Sequence, residues 1–293
     1  MKYLLPLLAV LFLHPACKTA SKQASAPAES RENALLWEIS GNGLAGPSWL
    51  YGTIHMICAE DFQLGDSLRA SFSRAEKIYL ELDMDDPSMV LRTLQLSMLK
   101  NGSLKDLMSR ESYDTLNRFM TDSMHMPLML FNKMKPFTLM SVLYTKILAC
   151  DKTESYEQQF LSMASKEKKE ILGLEKLEDQ FAVFDQIPDS VEAQMILAMI
   201  RDFDGQRREF QKMTDAYKNR DLNTLAGLME ESPDMKGYEN LLLANRNKNW
   251  IPVMQSAMAK TPCFFAVGAG HLPGPEGVIA LLRKAGYNVR PVE

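Results

Sequence analysis

The stretch Leu50-Tyr51-Gly52-Thr53-Ile54-His55 runs apolar, β-prone residues into a glycine and places a histidine three positions beyond it. Near the other end of the chain, Phe264-Phe265-Ala266-Val267-Gly268-Ala269-Gly270-His271 repeats the pattern. Two strand-like runs therefore each finish in Gly-x-x-His, and the two histidines stand 216 positions apart. The chain holds four histidines in all, so two in one local pattern organise the reading of the rest. We expect the fold to bring these two ends together. Glycine ahead of each histidine permits a sharp turn or a close approach that a larger residue would hinder.

Outward from these runs, short apolar stretches alternate with long helical patterns. Leu35 to Ile39 reads as a first strand and Ser48 to Ile54 as a second, joined as a hairpin through Gly41-Asn42-Gly43 and Gly46-Pro47. Lys77 to Asp83 alternates, with Ile78, Leu80 and Leu82 on one face and Tyr79, Glu81 and Asp83 on the other. Lys169 to Leu174, Cys263 to Val267 and Tyr287 to Val292 read as further strands. Helical patterns fill the stretch from Asp85-Asp86-Pro87-Ser88 to about residue 168 and again from Lys176 to about Lys260. Pro275 to Ala285 reads as a last helix with Pro275 in its first turn. This order predicts an α/β fold, a mixed central sheet built from N-terminal, middle and C-terminal strands, with long helical insertions.

In open α/β sheets ligands gather beyond the carboxyl ends of the strands. His55, Glu81, Glu175 and His271 all end or follow an expected strand. Two imidazoles and one or two carboxylates suit a divalent metal such as manganese, cobalt, iron or zinc. A metal-bound water is a usable nucleophile near neutral pH, and a second carboxylate can take its proton. Each residue also has a plainer reading: a structural histidine at a strand end, a solvated Glu81, or Glu175 as a first-turn acid favoured by the helix dipole. Arg246, in Asn245-Arg246-Asn247-Lys248-Asn249-Trp250, reads either as a fixed cation for a carboxylate or developing oxyanion, or as part of a solvated helix face beside Trp250. Free backbone N–H groups in the segment His271 to Gly277 offer a further ligand contact, or the segment is an ordinary strand–helix link. His125 falls at the helix break Met124-His125-Met126-Pro127 and reads as a surface loop residue.

Composition narrows the classes. A net charge of −4 and the absence of a dense Lys/Arg run argue against nucleic-acid binding. The 20 methionines predict an adaptable helical core or, alternatively, a permissive Met-lined groove. Residues 1–17 carry Lys2, the apolar run Leu4 to Leu13, and His14-Pro15-Ala16-Cys17. We read them as a signal segment ending at a lipidation site, Cys17, with plain secretion or an uncleaved anchor as alternatives. Residues 18–33 are polar, small and proline-interrupted, a disordered tether ahead of a domain spanning 34–293. The protein is thus expected to be exported and held on a membrane by its N-terminal lipid, facing the periplasm or cell surface. Cys58, Cys150 and Cys263 then remain; a Cys58–Cys263 bridge is disfavoured by the length of the strand after Cys263, and buried free thiols are expected.

Taken together, Trp37, Tyr51 to His55, Glu81, Gly173-Leu174-Glu175, Arg246-Asn247 with Trp250, and Gly268 to Gly274 occur in an order that resembles the TraB/PrgY/GumN family, which includes the TIKI membrane-associated metalloproteases. The resemblance covers roughly Leu35 to Val292 and implies an α/β fold like the erythromycin-esterase and ChaN-like group. It implies a metal-dependent hydrolase site with His55, Glu81 and His271 as ligands, proteolytic in TIKI-like members and supported there by manganese or cobalt. Glu175 and Arg246 match further family positions and are expected to assist catalysis, with Asn247, Gly268 and Gly270 lining the substrate site. The chain departs from the family in having Asn245 where Glu often precedes the Arg-Asn pair, and Ser155-Tyr156-Glu157 where Gly-x-Asp often enters the middle helix. The expected function is a cell-envelope peptidase using metal-activated water. Capture of a peptide or haem-like ligand without turnover is the alternative, and a small-molecule esterase a third reading.

Overall fold

The computed structural model describes residues 33–232 and 237–292. The signal segment, the Cys17 lipidation site and the tether up to Glu32 lie outside the described residues. Six strands make one sheet: β1 (Leu36–Ser40), β2 (Ser48–Thr53), β4 (Lys77–Leu80), β6 (Glu170–Gly173), β7 (Cys263–Gly268) and β8 (Asn288–Pro291). Two short strands, β3 (Ile57–Cys58) and β5 (Thr153–Glu154), pair separately. Helices α1 (Asp66–Arg74), α2 (Met89–Leu96), α3 (Arg110–Asp122) and α4 (Pro136–Tyr144) precede β5, and α5 (Tyr156–Glu167) follows it. Helices α6 (Leu177–Phe184), α7 (Asp189–Arg201), α8 (Phe203–Lys218), α9 (Leu222–Glu231) and α10 (Asn245–Met258) lie between β6 and β7, and α11 (Val278–Lys284) between β7 and β8.

The sheet order is β6-β4-β7-β2-β1-β8. β6, β4, β7 and β2 run parallel, while β1 turns back on β2 as the expected hairpin and β8 closes the edge antiparallel to β1. Strands β2 and β7 are almost continuously buried, as central strands with both faces covered must be. Phe264 meets Phe72 of α1 and Phe160 of α5 at ring separations of 5.3 and 5.2 Å. Its neighbour Phe265 turns to the opposite face and packs on Tyr79, 5.3 Å away. The α/β reading therefore holds, with the strand through Tyr79 shorter than expected: regular pairing ends at Leu80, leaving Glu81 just past it. The last helix starts at Val278, so Pro275 lies in the turn before it.

A second apolar cluster sits in the helical insertions. Met120, Met124, Met140 and Met199 are among its buried residues, with Leu116, Leu128, Leu139, Leu143 and Ile196. That answers the methionine content with an adaptable core, as expected of a flexible side chain that fills irregular gaps.

The cysteine expectation is corrected for two of the three thiols. Cys58 is disulfide-bonded to Cys150, and Cys263 alone is free and buried. The β3–β5 ladder, Ile57 opposite Glu154 and Cys58 opposite Thr153, brings the pair together. Two residues per strand are too few to show a period in sequence. Burial pushes the Cys263 thiol up to about 12, an inert group.

Candidate active site

Four parallel strands end side by side, so the residues just past them fall in the order Glu175, Glu81, His271, His55 along one edge. The two Gly-x-x-His motifs are direct neighbours: Gly52 pairs with Val267 and Thr53 with Gly268. A Cβ on Gly52 would stand 2.6 Å from Leu272 Cδ1 and 3.1 Å from Ala269 Cα, so this glycine is required by the close approach of the second motif. Next to them, β6 continues along β4 past the regular ladder, with Glu175 N donating to Glu81 O at 3.0 Å. The chain bends there at Gly173, where a Cβ would meet Glu175 O at 2.7 Å and Asp83 N at 2.8 Å. Because both obstacles are backbone, Gly173→Ala is expected to lower unfolding stability by about 1–3 kcal/mol in urea titrations.

Arg246 of α10 lies at the centre and is buried, with the largely covered carboxylates of Glu81 and Glu175 around it. Its Nη2 donates to Glu81 Oε2 at 2.6 Å and to Glu175 Oε1 at 2.6 Å. Its Nε reaches Glu175 at 3.1 Å, and its Nη1 faces Leu242 O and His271 Nε2, both at 3.2 Å. These contacts use all five guanidinium N–H donors, leaving none for an oxyanion. The solvated-helix reading of Arg246 and its expected oxyanion role both give way to that of a buried clamp. The loss of an acid at Asn245 is immaterial, since the ion pairs come from Glu81 and Glu175. Glu175 also accepts from Trp250 Nε1 at 3.1 Å and from Gln180 Nε2 at 3.2 Å, and Gln180 lies 3.4 Å from Glu81 Oε2.

The tautomer of His271 follows from its neighbours. Asn247 Nδ2 donates to Glu276 O at 2.9 Å, which turns Asn247 Oδ1 toward His271 Nδ1, 2.6 Å away. His271 must therefore carry its proton on Nδ1, leaving Nε2 as an acceptor toward Arg246, with Glu81 Oε1 standing 3.9 Å away. Burial drives its pKa down to about 3, so the ring is neutral at pH 7. Burial also works to raise the Glu81 carboxyl, but the Arg246 guanidinium, the His55 ring and the Gly268 N–H, 2.8 Å from Oε1, outweigh that and hold it below the ordinary value.

His55 sits at the open side, its side chain 72 % exposed. Its Nδ1 lies 3.0 Å from Glu157 Oε1, and this hydrogen bond raises its pKa, with solvent screening part of the effect. Thr53 Oγ1 donates to the same Glu157 oxygen at 2.6 Å and Ser155 Oγ to the other at 2.8 Å. A Cβ placed on Gly268 would stand 3.4 Å from Glu81 Oε1, 3.7 Å from His271 Cδ2 and 3.9 Å from His55 Nε2. All three groups thus converge on one point that Gly268 keeps open. The cavity beside it, about 280 Å³, is lined by His55, Glu81, Met84, Ser155, Glu157 and Gln180. A larger cavity of about 440 Å³, walled by Tyr51, Tyr156 and Arg220, contains no histidine.

The structure brings His55, Glu81, Glu175, Arg246 and His271 into one cluster, with Asn247 behind His271 and Gly270 against Met229. Sequence reading missed Glu157, Thr53 and Gln180. Glu157 had two signals: its place two residues after the cap Ser155 at the start of α5, and its position where the resembled family often carries the acid of Gly-x-Asp. In donor chemistry the histidines and Glu81 fit a divalent cation: each imidazole has Nδ1 held by an oxygen and Nε2 turned inward, the arrangement that orients metal ligands. Among the described residues, however, no three His, Cys, Asp or Glu side chains stand close enough together to hold a metal as arranged. Arg246 instead engages Glu81 Oε2 and His271 Nε2.

A family model described as the TraB/PrgY/gumN family matches residues 35–291. A Treponema pallidum (strain Nichols) protein named only as uncharacterized is 24% identical over 94% of this chain and 89% of its own length. Metalloprotease TIKI1 of Danio rerio is 24% identical over 93% of this chain and 65% of its own length. Metalloprotease TIKI2 of Danio rerio is 27% identical over 36% of this chain and 21% of its own length. The chain thus spans less than two-thirds of the length of either metalloprotease relative. No solved structure matches it.

Proposed function

The chain belongs to the TraB/PrgY/gumN family, and from that premise we propose that it is a metal-dependent hydrolase acting on peptide bonds. The observation that carries this reading is the convergence of His55 Nε2, Glu81 Oε1 and His271 on the space beside Gly268. The metalloprotease names of its TIKI relatives support it. His55, Glu81 and His271 are the residues that would hold a divalent cation such as manganese, cobalt or zinc. Such a cation polarises a carbonyl and lowers the pKa of water.

The chain's own residues prepare that site. Glu157, fixed by Thr53 and Ser155, holds the His55 ring by Nδ1. Asn247 does the same for His271. Arg246 supplies the countercharge that keeps Glu81 ionised in a buried setting. Since Glu175 is engaged by Arg246, Trp250 and Gln180, its part is to position Arg246. We place the protein outside the cytoplasm on a membrane, tethered through Cys17.

The test is metal analysis and a peptide-library assay on wild type and on His55→Ala and His271→Ala variants. About one equivalent of metal and cleavage in the wild type are expected, with at least a ~100-fold loss of cleavage in either variant. Unchanged cleavage in both would overturn the reading. A peptide or haem-like ligand retained without turnover would instead establish the binding-only alternative.

A further inference from the structure

The large hydrophobic side chains that stand exposed among the described residues all belong to one part of the first helical insertion. Val90, Leu91 and Leu94 lie at i, i+1 and i+4 on α2, with Met98 just beyond it. Val90 is 81 % exposed, and no residue of α2 is buried. Met126, Met129 and Leu130 come from the segment around the 3-10 turn Leu128–Phe131, with Met129 77 % exposed. Backbone hydrogen bonds tie the two segments together, Leu99 N to Lys133 O and Lys135 N to Ser97 O, both at 2.8 Å. Single exposed hydrophobics are ordinary on a protein surface, but a joined group of them marks an interaction face.

Within the two segments themselves the charge is one-sided. Residues 87–105 and 123–135 contain Arg92, Lys100, Lys105, Lys133 and Lys135 and no Asp or Glu, in a chain with 37 acids against 33 bases. Arg92 is paired with Asp86 and Glu178, and Lys135 with Asp185. Lys100, Lys105 and Lys133 are exposed, Lys133 Nζ donating to Gly102 O and Lys105 lying over the Tyr113 ring, and they form the cationic rim of the segments. Asp106, the next acid along the chain, is hydrogen-bonded by Ser103.

We propose that this face docks on an anionic phospholipid bilayer, with Val90, Leu91, Leu94, Met129 and Leu130 at the acyl boundary and the three lysines at the phosphates. Apolar side chains rimmed by lysine are the signature of interfacial binding, and each lysine near an anionic surface adds attraction. A second copy is disfavoured because a self-complementary contact sets like charges against one another. This docking rests on the lipid anchor proposed at Cys17, which would hold the chain at such a surface. The docking does not depend on the hydrolase reading.

Tryptophan scanning tests it, because the native Trp37, Trp49 and Trp250 are buried. Full-length protein carrying Leu94→Trp, Met129→Trp or, as a control on α8, Glu209→Trp is mixed with phosphatidylglycerol-containing vesicles whose acyl chains are brominated. Fluorescence of the added tryptophan is expected to fall about twofold or more for Leu94→Trp and Met129→Trp and to stay unchanged for Glu209→Trp. Leu94→Asp introduced beside Met129→Trp should abolish that fall. Equal quenching at all three positions would overturn the proposal. So would a concentration-dependent dimer, formed without vesicles and lost in Leu94→Asp.

Discussion

Arg246→Met is expected to lower unfolding stability by about 3–5 kcal/mol, because it leaves buried carboxylates without their cation. Glu81 and Glu175 end neighbouring strands and share the Nη2 group of Arg246. Without it, the carboxylates face each other with Gln180 and Trp250 as the remaining side-chain donors. Arg246→Lys should recover little, since one ammonium cannot reproduce five donors spread over two acids, a carbonyl and an imidazole. Glu175→Gln in the Arg246→Met background should return part of the loss, and a double-mutant cycle in urea reads the coupling. The sign of the pH dependence follows from Glu81. Its pKa, held below an ordinary 4.5, contributes stability above the ordinary value that is lost as pH falls through the lowered one. The gap between wild type and variant should therefore be widest near neutrality and narrow in acid. A loss below about 1 kcal/mol would show that Arg246 is dispensable to the fold.

Removing the disulfide by Cys58→Ser with Cys150→Ser is expected to cost about 4 kcal/mol. The bond closes a sequence separation of 92 residues, and the loop-closure entropy it removes from the unfolded chain grows with that length. The same bond has a local consequence. Cys58 lies three residues after His55 and Cys150 seven before Glu157, and β3 and β5 carry the chain between them. Severing it should free the His55–Glu157 contact before the sheet itself melts. In NMR spectra of the variant, the His55 ring should titrate closer to the ordinary 6.5 than in wild type, while unfolding in urea reports the global loss. An unchanged His55 titration would show that Thr53 and Ser155 position Glu157 unaided.

The sheet was legible in sequence because its strands carry strong signals. Ser48 to Thr53 and Cys263 to Gly268 are apolar runs with glycine at or near their ends, and Lys77 to Leu80 alternates faithfully. His55, Glu81, Glu175 and His271 could be named because strand ends and scarce residue types coincide there. What escaped depends on long-range contact. Glu157 lies 102 positions from His55, and a glutamate in the first turn of α5 reads as an ordinary helix-start acid. Arg246 looked surface-exposed because its neighbours Asn245, Lys248 and Asn249 are polar and exposed, while the pattern that buries it is made by two acids from other strands. The Cys58–Cys150 bond rests on a two-residue ladder with no period to detect.

Strand β7 sits between β4 and β2, yet it begins at residue 263 of 293. On the ribosome, everything before it emerges first. Until Cys263 to Gly268 arrives, β4 with β6 and β2 with β1 can form only separate halves, each with an unpaired edge facing the gap. Such edges are templates for the wrong strand, and pairings this distant in sequence are slow to form. The closing strand brings Gly268 and His271 with it, so the two halves of the sheet join and the site is assembled in one event. A chain cut short between Gly173 and Cys263 would have two half-sheets with open edges and neither Gly268 nor His271, and a newborn chain passes through that state every time it is made.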